Sequence, residues 1–187
     1  RAILTGAVLL RLCHFLAFVS GVLRQFRRIE HDSQQWRELA RRDALTGLAN
    51  RKAFTEAAQG VLARAQGDAG QGALLMLDLD GFKPVNDSYV HDVGDDLLVA
   101  VGHRLQANVR HDTDVVARLG GDEFGVIAVE CDQAGAEALL ARTRRALVEL
   151  DVKASIGMAV RLPSIGLKLA WETADQRMYV EKRSRGR

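Results

Sequence analysis

Apolar residues along the chain fall into blocks of different period, and the blocks alternate. Residues 2–23 are almost wholly apolar, the pattern of a hydrophobic helix. Residues 24–42 are charged and lack Gly and Pro; Phe26, Ile29, Ser33, Trp36 and Ala40 recur there at spacings of three and four, a heptad-like seam. The turn Asp43–Arg51 closes that helix, and another runs from about Arg51 to Gln66. Beyond a Gly-rich loop, Ala73-Leu74-Leu75-Met76-Leu77 is an uninterrupted apolar run, as in a strand buried on both faces. It ends at Asp78-Leu79-Asp80. Gly94-Asp95 opens an amphipathic helix carrying Leu97, Leu98, Val101 and Leu105. Val115-Val116-Ala117 and Val126-Ile127-Ala128-Val129 then flank Arg118-Leu119-Gly120-Gly121-Asp122-Glu123-Phe124, which reads as a β-hairpin. A helix from about Gln133 to Leu150, a strand over Val152–Val160, a helix from about Ala170 to Arg183 and a basic tail complete the chain. The alternation predicts an α/β domain with a mixed central sheet flanked by helices, preceded by a long N-terminal helix. The expected division is a hydrophobic helix at 1–23, a linker or coiled-coil helix at 24–42 and a catalytic domain at 43–187.

The first two segments each have two readings. Twenty-two helical residues span about 33 Å, close to the hydrocarbon thickness of a bilayer. Arg24, Arg27 and Arg28 follow, which would leave the next domain in the cytoplasm, at the inner face of the membrane. Against a membrane span stand Arg11 and His14, since an Arg near the bilayer centre costs roughly 2.5–3.5 kcal/mol on insertion scales. The alternative is a helix buried in a sensory module or dimer interface. Likewise, residues 24–42 are either a solvated linker or a parallel dimer coil that sets the distance between two copies of the following domain. A chain opening on Arg rather than Met is expected to belong to something longer.

Composition narrows the partners. With 187 residues, 48% hydrophobic and 27% charged, the chain is globular. Residues 1–42 carry eight basic groups against three acids, whereas residues 43–187 carry eighteen against twenty-one, which argues against a nucleic-acid partner. Cys13 and Cys131 are isolated, with neither disulfide nor zinc spacing.

Candidate chemistry sits at two places. Asp78 and Asp80 share one face at a strand end and suit Mg²⁺, which takes one or two carboxylates with phosphate oxygens. Asp80 also reads as a helix N-cap, leaving Asp78 as the ligand. In the hairpin, Gly120-Gly121 would let backbone N–H groups approach a phosphate beside the carboxylates of Asp122 and Glu123. Taken alone, the same residues make an ordinary solvated turn.

Six segments in register, DALTGLANR (43–51), DLDGFKPVND (78–87), HDVGDDLL (91–98), RLGGDEF (118–124), SIGMA (155–159) and ADQRMYVEK (174–182), resemble the GGDEF domain of bacterial diguanylate cyclases. The resemblance implies a fold like the palm of polymerases and class III nucleotide cyclases. It implies condensation of two GTP molecules to cyclic di-GMP and two pyrophosphates, with each subunit of a homodimer holding one GTP. Asp78, the Leu79 carbonyl and Asp122 would hold Mg²⁺ or Mn²⁺, and Glu123 would assist at a second metal or at the attacking hydroxyl. Asn86 and Asp95 would read the guanine edge, the Asp accepting from its N1–H and N2–H₂ donors. The backbone at Phe82-Lys83 and the side chains of Lys83 and Lys182 would contact the terminal phosphates.

Four departures from the family pattern stand out. His111 occupies the Arg position of the RxxD product-inhibition motif that ends at Asp114, so feedback through that motif is in doubt, with neighbouring Arg110 as a partial substitute. Val90 replaces a common Gly, the segment 161–166 is short, and the basic residue after Lys182 is displaced, leaving Arg185 and Arg187 without a clear role. Two other classes compete with the enzyme: a non-catalytic module that binds GTP or cyclic di-GMP to regulate a partner, and a purely structural dimerisation domain.

Overall fold

The computed structural model describes residues 19–25, 27–28, 30, 36, 38–64, 71–82, 91–161 and 166–185. The chain divides into two compact units, residues 1–40 and 41–187. In the first, the described residues between 19 and 39 are helical, and Trp36 and Leu39 are exposed. Most of the hydrophobic stretch 2–23, and Phe26, Ile29 and Ser33 of the seam, lie outside the described residues. Among the described residues no helix is long and apolar enough to cross a membrane.

The second unit is built on a five-stranded sheet in the order β1-β3-β4-β2-β5. Its elements are β1 (Ala49–Asn50), α1 (Arg51–Arg64), β2 (Gly72–Leu79), α2 (His91–Ala107), β3 (Val115–Gly120), β4 (Glu123–Val129), α3 (Gln133–Val148), β5 (Ala154–Arg161) and α4 (Gly166–Arg185). β2 is buried along its whole length, as its unbroken apolar run demands, and pairs antiparallel with β4 and β5. β1 runs parallel to β3, which makes the sheet mixed. Its two residues form a strand only because Ala117 and Arg118 lie beside them, a long-range pairing that the turn-like local sequence does not disclose. The hairpin strands also reach further into the GG turn than the apolar runs suggest, because Gly120 pairs with Glu123 across a bulge.

Period-two alternation in β2 divides the core into two layers. Leu75, Leu77 and Leu79 pack with Leu98, Val101 and Leu105 of α2 and Leu139 and Leu147 of α3. Leu74 and Met76 pack on the other face with Phe54 of α1 and Ala170, Ala174 and Met178 of α4. Asp78 continues that second face. Gly157 in β5 brings α4 close: a Cβ there would overlap the Ala174 carbonyl and the Met178 nitrogen. Ala174, Met178 and Lys182 follow one another at four-residue steps, so this docking carries Lys182 to the end of β2 where Asp78 stands.

β5 is an edge strand, and α4 covers its free side with a ladder of side chains at four-residue spacing. Arg177 donates to the Met158 carbonyl (2.6 Å), Glu181 accepts from the Ile156 N–H (3.2 Å) and Arg185 donates to the Ala154 carbonyl (2.7 Å). Backbone groups that a sixth strand would pair are thereby occupied.

Candidate active site

At the end of β2 the two aspartates separate in role. Asp80 accepts from Ser155 Oγ (2.7 Å) and Arg185 (3.0 Å), which gives Arg185 a structural duty at this strand end. Asp78 is buried, and Lys182 Nζ lies 2.7 Å from both of its carboxylate oxygens. Burial pushes the Asp78 carboxyl above the usual aspartate range; the Lys182 hydrogen bond works against that rise, and the charges of Asp122 and Asp80 add to it. The Asp78 carboxylate in turn raises the Lys182 ammonium above its ordinary value.

The hairpin arrives beside this point. Gly121 turns at φ 45°, a left-handed conformation that favours glycine. The Asp122 carbonyl accepts from the Leu79 N–H (3.2 Å), and Glu123 is the cross-strand neighbour of Asp78, on the same face. Arg51, the first residue of α1, clamps the hairpin from the far side: its Nη2 lies 2.9 Å from Glu123 Oε2 and its Nε donates to the Leu119 carbonyl (2.8 Å). Arg118 donates to the Gly121 carbonyl (2.9 Å) and pairs with Asp43 (3.2 Å), whose carboxylate also accepts from the Thr46 N–H and hydroxyl. For Asp43 burial alone would raise the carboxyl, but the Thr46 and Arg118 hydrogen bonds outweigh it and hold the group below its usual range.

The structure thus brings Asp78, Leu79, Asp122, Glu123, Gly120, Gly121 and Lys182 together. Phe82 packs partly buried against the α2/α3 core layer, and Asp95 is exposed in α2, which begins at His91 rather than Gly94. Lys83, Asn86, Val90, the segment 162–165 and Arg187 lie outside the described residues. Arg51, Arg118, Asp43 and Ser155 carry contacts at the site that pattern alone did not single out. Among the described residues no three acidic, His or Cys groups gather into a closed metal cage. The donors present still fit a hard divalent cation, since Asp78 and Asp122 are carboxylates within electrostatic reach and Mg²⁺ completes its shell with water and phosphate oxygens.

At the other end of β3 and β4, Asp114 is taken up by Arg110 rather than His111. It accepts from the Arg110 N–H (3.0 Å), from its guanidinium (2.9 and 3.2 Å) and from the Val129 N–H (3.1 Å). Arg110 also donates to the Val129 carbonyl.

An acidic strand end beside a glycine hairpin, on a mixed five-stranded sheet with helices on both faces, is the arrangement shared with solved GGDEF domains. The chain belongs to the GGDEF family of diguanylate cyclases, whose domain description, "Diguanylate cyclase, GGDEF domain", matches residues 40–187. It is 34% identical over 162 residues to diguanylate cyclase DgcS of Shewanella oneidensis, covering 82% of this chain and 54% of DgcS. It is 44% identical over 110 residues to cyclic di-GMP phosphodiesterase NbdA of Pseudomonas aeruginosa, covering 59% of this chain and 14% of NbdA. The crystal structure of the coiled coil and GGDEF domain of DgcB from Caulobacter crescentus in complex with c-di-GMP superposes with TM-score 0.79 at 26% identity, covering 90% of this chain and 94% of that one. The chain thus spans about half the length of DgcS and a seventh of NbdA.

Proposed function

We propose that this chain is a diguanylate cyclase that condenses two GTP molecules into cyclic di-GMP and two pyrophosphates, as the output domain of a larger sensor. The observation that supports it most is the pairing of Asp78 with Glu123 across β2 and β4, with the Asp122 carbonyl bonded to Leu79. In each of two steps a GTP 3′-hydroxyl attacks an α-phosphorus and pyrophosphate leaves. A divalent cation, Mg²⁺ or Mn²⁺, when bound supplies charge neutralisation on the phosphates. Asp78, the Leu79 carbonyl and Asp122 would hold it, and Glu123 would assist at the hydroxyl or a second metal. The backbone at Gly120-Gly121 would admit the phosphates, Lys83 and Lys182 would contact the terminal ones, and Asn86 and Asp95 would hold guanine. One chain supplies half of the reacting geometry, so a homodimer aligns the two nucleotides.

The DgcB match, a coiled coil with a GGDEF domain, favours residues 24–42 as the segment that pairs two copies. The basic cluster Arg24, Arg27 and Arg28 after the apolar stretch 2–23 favours a cytoplasmic place at the inner membrane for the catalytic unit. Incubation of the purified protein with GTP and Mg²⁺ should yield cyclic di-GMP and pyrophosphate by chromatography. No product from an enforced dimer that binds GTP would sink the reading. The match to a phosphodiesterase favours one alternative, a regulatory module that binds nucleotide without turnover; tight GTP binding with no product is its outcome.

A further inference from the structure

The ammonium of Lys182 stands where a metal would have to bind. Its Nζ is 2.7 Å from both oxygens of Asp78, so a protein cation already bridges the carboxylate. The pair is lopsided in its freedom to move. The Asp78 side chain is 8% exposed and fixed in a central strand, whereas that of Lys182 is 47% exposed on a flexible four-carbon stem at the rim. α4 itself cannot withdraw easily, because Ala174 and Met178 are seated against Gly157. Whatever replaces Lys182 on Asp78 must therefore do so by swinging the side chain away.

We infer that Lys182 is a resident counter-cation that keeps divalent metal off Asp78 until nucleotide arrives, and that the phosphates then draw the ammonium away as the metal takes its place. This rests on the cyclase reading of the site, and it adds an order to it: metal and nucleotide bind together rather than metal first. A singly charged ammonium on both oxygens competes directly with a dication for them, and removing it leaves a buried carboxylate with the Asp122 charge nearby. Free phosphate oxygens are a better partner for the displaced lysine than water, since the contact becomes a charge-assisted hydrogen bond.

The test is Mn²⁺ binding to the full 187-residue chain, followed by the electron paramagnetic resonance signal of free Mn²⁺, with and without a GTP analogue that cannot release pyrophosphate. Lys182→Met should tighten nucleotide-free Mn²⁺ binding about tenfold or more, while Lys182→Arg should leave it as weak as in the unaltered protein. The gain in metal affinity on adding the analogue should shrink in Lys182→Met by the same factor, because the two binding events are linked. Should Lys182→Met fold poorly, the unaltered protein carries the test through the Lys182 Nζ resonance. That resonance should persist on adding Mg²⁺ alone and shift only when Mg²⁺ and the analogue are present together. Unchanged or weaker nucleotide-free binding in a folded Lys182→Met, or a resonance that shifts with Mg²⁺ alone, overturns the lysine's role and leaves the cyclase reading standing. No Mn²⁺ binding in any form, with Asp78→Asn indistinguishable from the unaltered protein, overturns both.

Discussion

Asp78 and Asp122 differ in what they cost the fold. Asp78 is buried, and its carboxyl is raised mainly by that burial despite the Lys182 pair. A carboxyl raised in the folded state withdraws stability once the pH exceeds its unfolded pKa, so a neutral isostere relieves the fold. Asp78→Asn should therefore abolish cyclic di-GMP formation while leaving the melting temperature equal or higher. A fall of several degrees would mean that the Lys182 ion pair outweighs the burial. Asp122 lies at the partly exposed hairpin tip, and Asp122→Ala should abolish product with a melting shift of no more than about 2 °C. The acids at the strand end and hairpin were legible in the sequence because each sits in a local pattern, an apolar run ending in Asp or two glycines between β-branched blocks. The cations they pair with were not, for the family resemblance puts Lys182 on the terminal phosphates rather than on Asp78. Lys182 is 104 residues from Asp78, Arg51 is 72 from Glu123 and Arg118 is 75 from Asp43, and only the order of strands brings each pair together.

Among the elements, α4 holds both the edge of the sheet and the position of Lys182. Sequence pattern located this helix but began it near Ala170, four residues late. Gly157 is the contact that sets that closeness. Gly157→Ala puts a methyl group into the backbone of α4, which must shift, at about 1–3 kcal/mol. Calorimetry should register the loss of stability, and GTP turnover should fall with it because Lys182 moves too. Glu181 gives α4 an acid sensitivity. Burial alone would raise its carboxyl, but hydrogen bonds from Arg144 and the Ile156 N–H, with the Arg144 and Arg185 charges, hold it below the ordinary glutamate value of 4.5. A lowered carboxyl contributes stability that is present above about pH 4.5 and is lost as pH falls through the folded-state value. The Glu181→Gln protein should be less stable at neutral pH and should lose less on acidification below about pH 4.5, so the two melting curves converge. Parallel curves across that interval would remove Glu181 from the account.

For the molecule as a whole, one link in the GGDEF domain runs from its first turn to the hairpin: Asp43, which accepts from Thr46, holds Arg118, which holds the Gly121 carbonyl. Residue 43 is thereby tied to the GG turn through Arg118. Among the described residues of the preceding helix, Trp36 and Leu39 are exposed, 70% and 63%. If two hairpins meet for each product molecule, as the proposed cyclase reaction requires, dilution should separate chemistry from encounter. Product formed per chain should rise in proportion to protein concentration in the dilute range and level off once dimers saturate. If the helix supplies the pairing surface, Trp36→Asp should move that plateau to higher concentration at unchanged final height, with sedimentation showing the same displacement of the monomer–dimer midpoint. A lower plateau at an unmoved midpoint would instead place Trp36 in the alignment of the two sites within a dimer held together elsewhere. Concentration-independent turnover in a monomer would contradict the two-subunit mechanism itself.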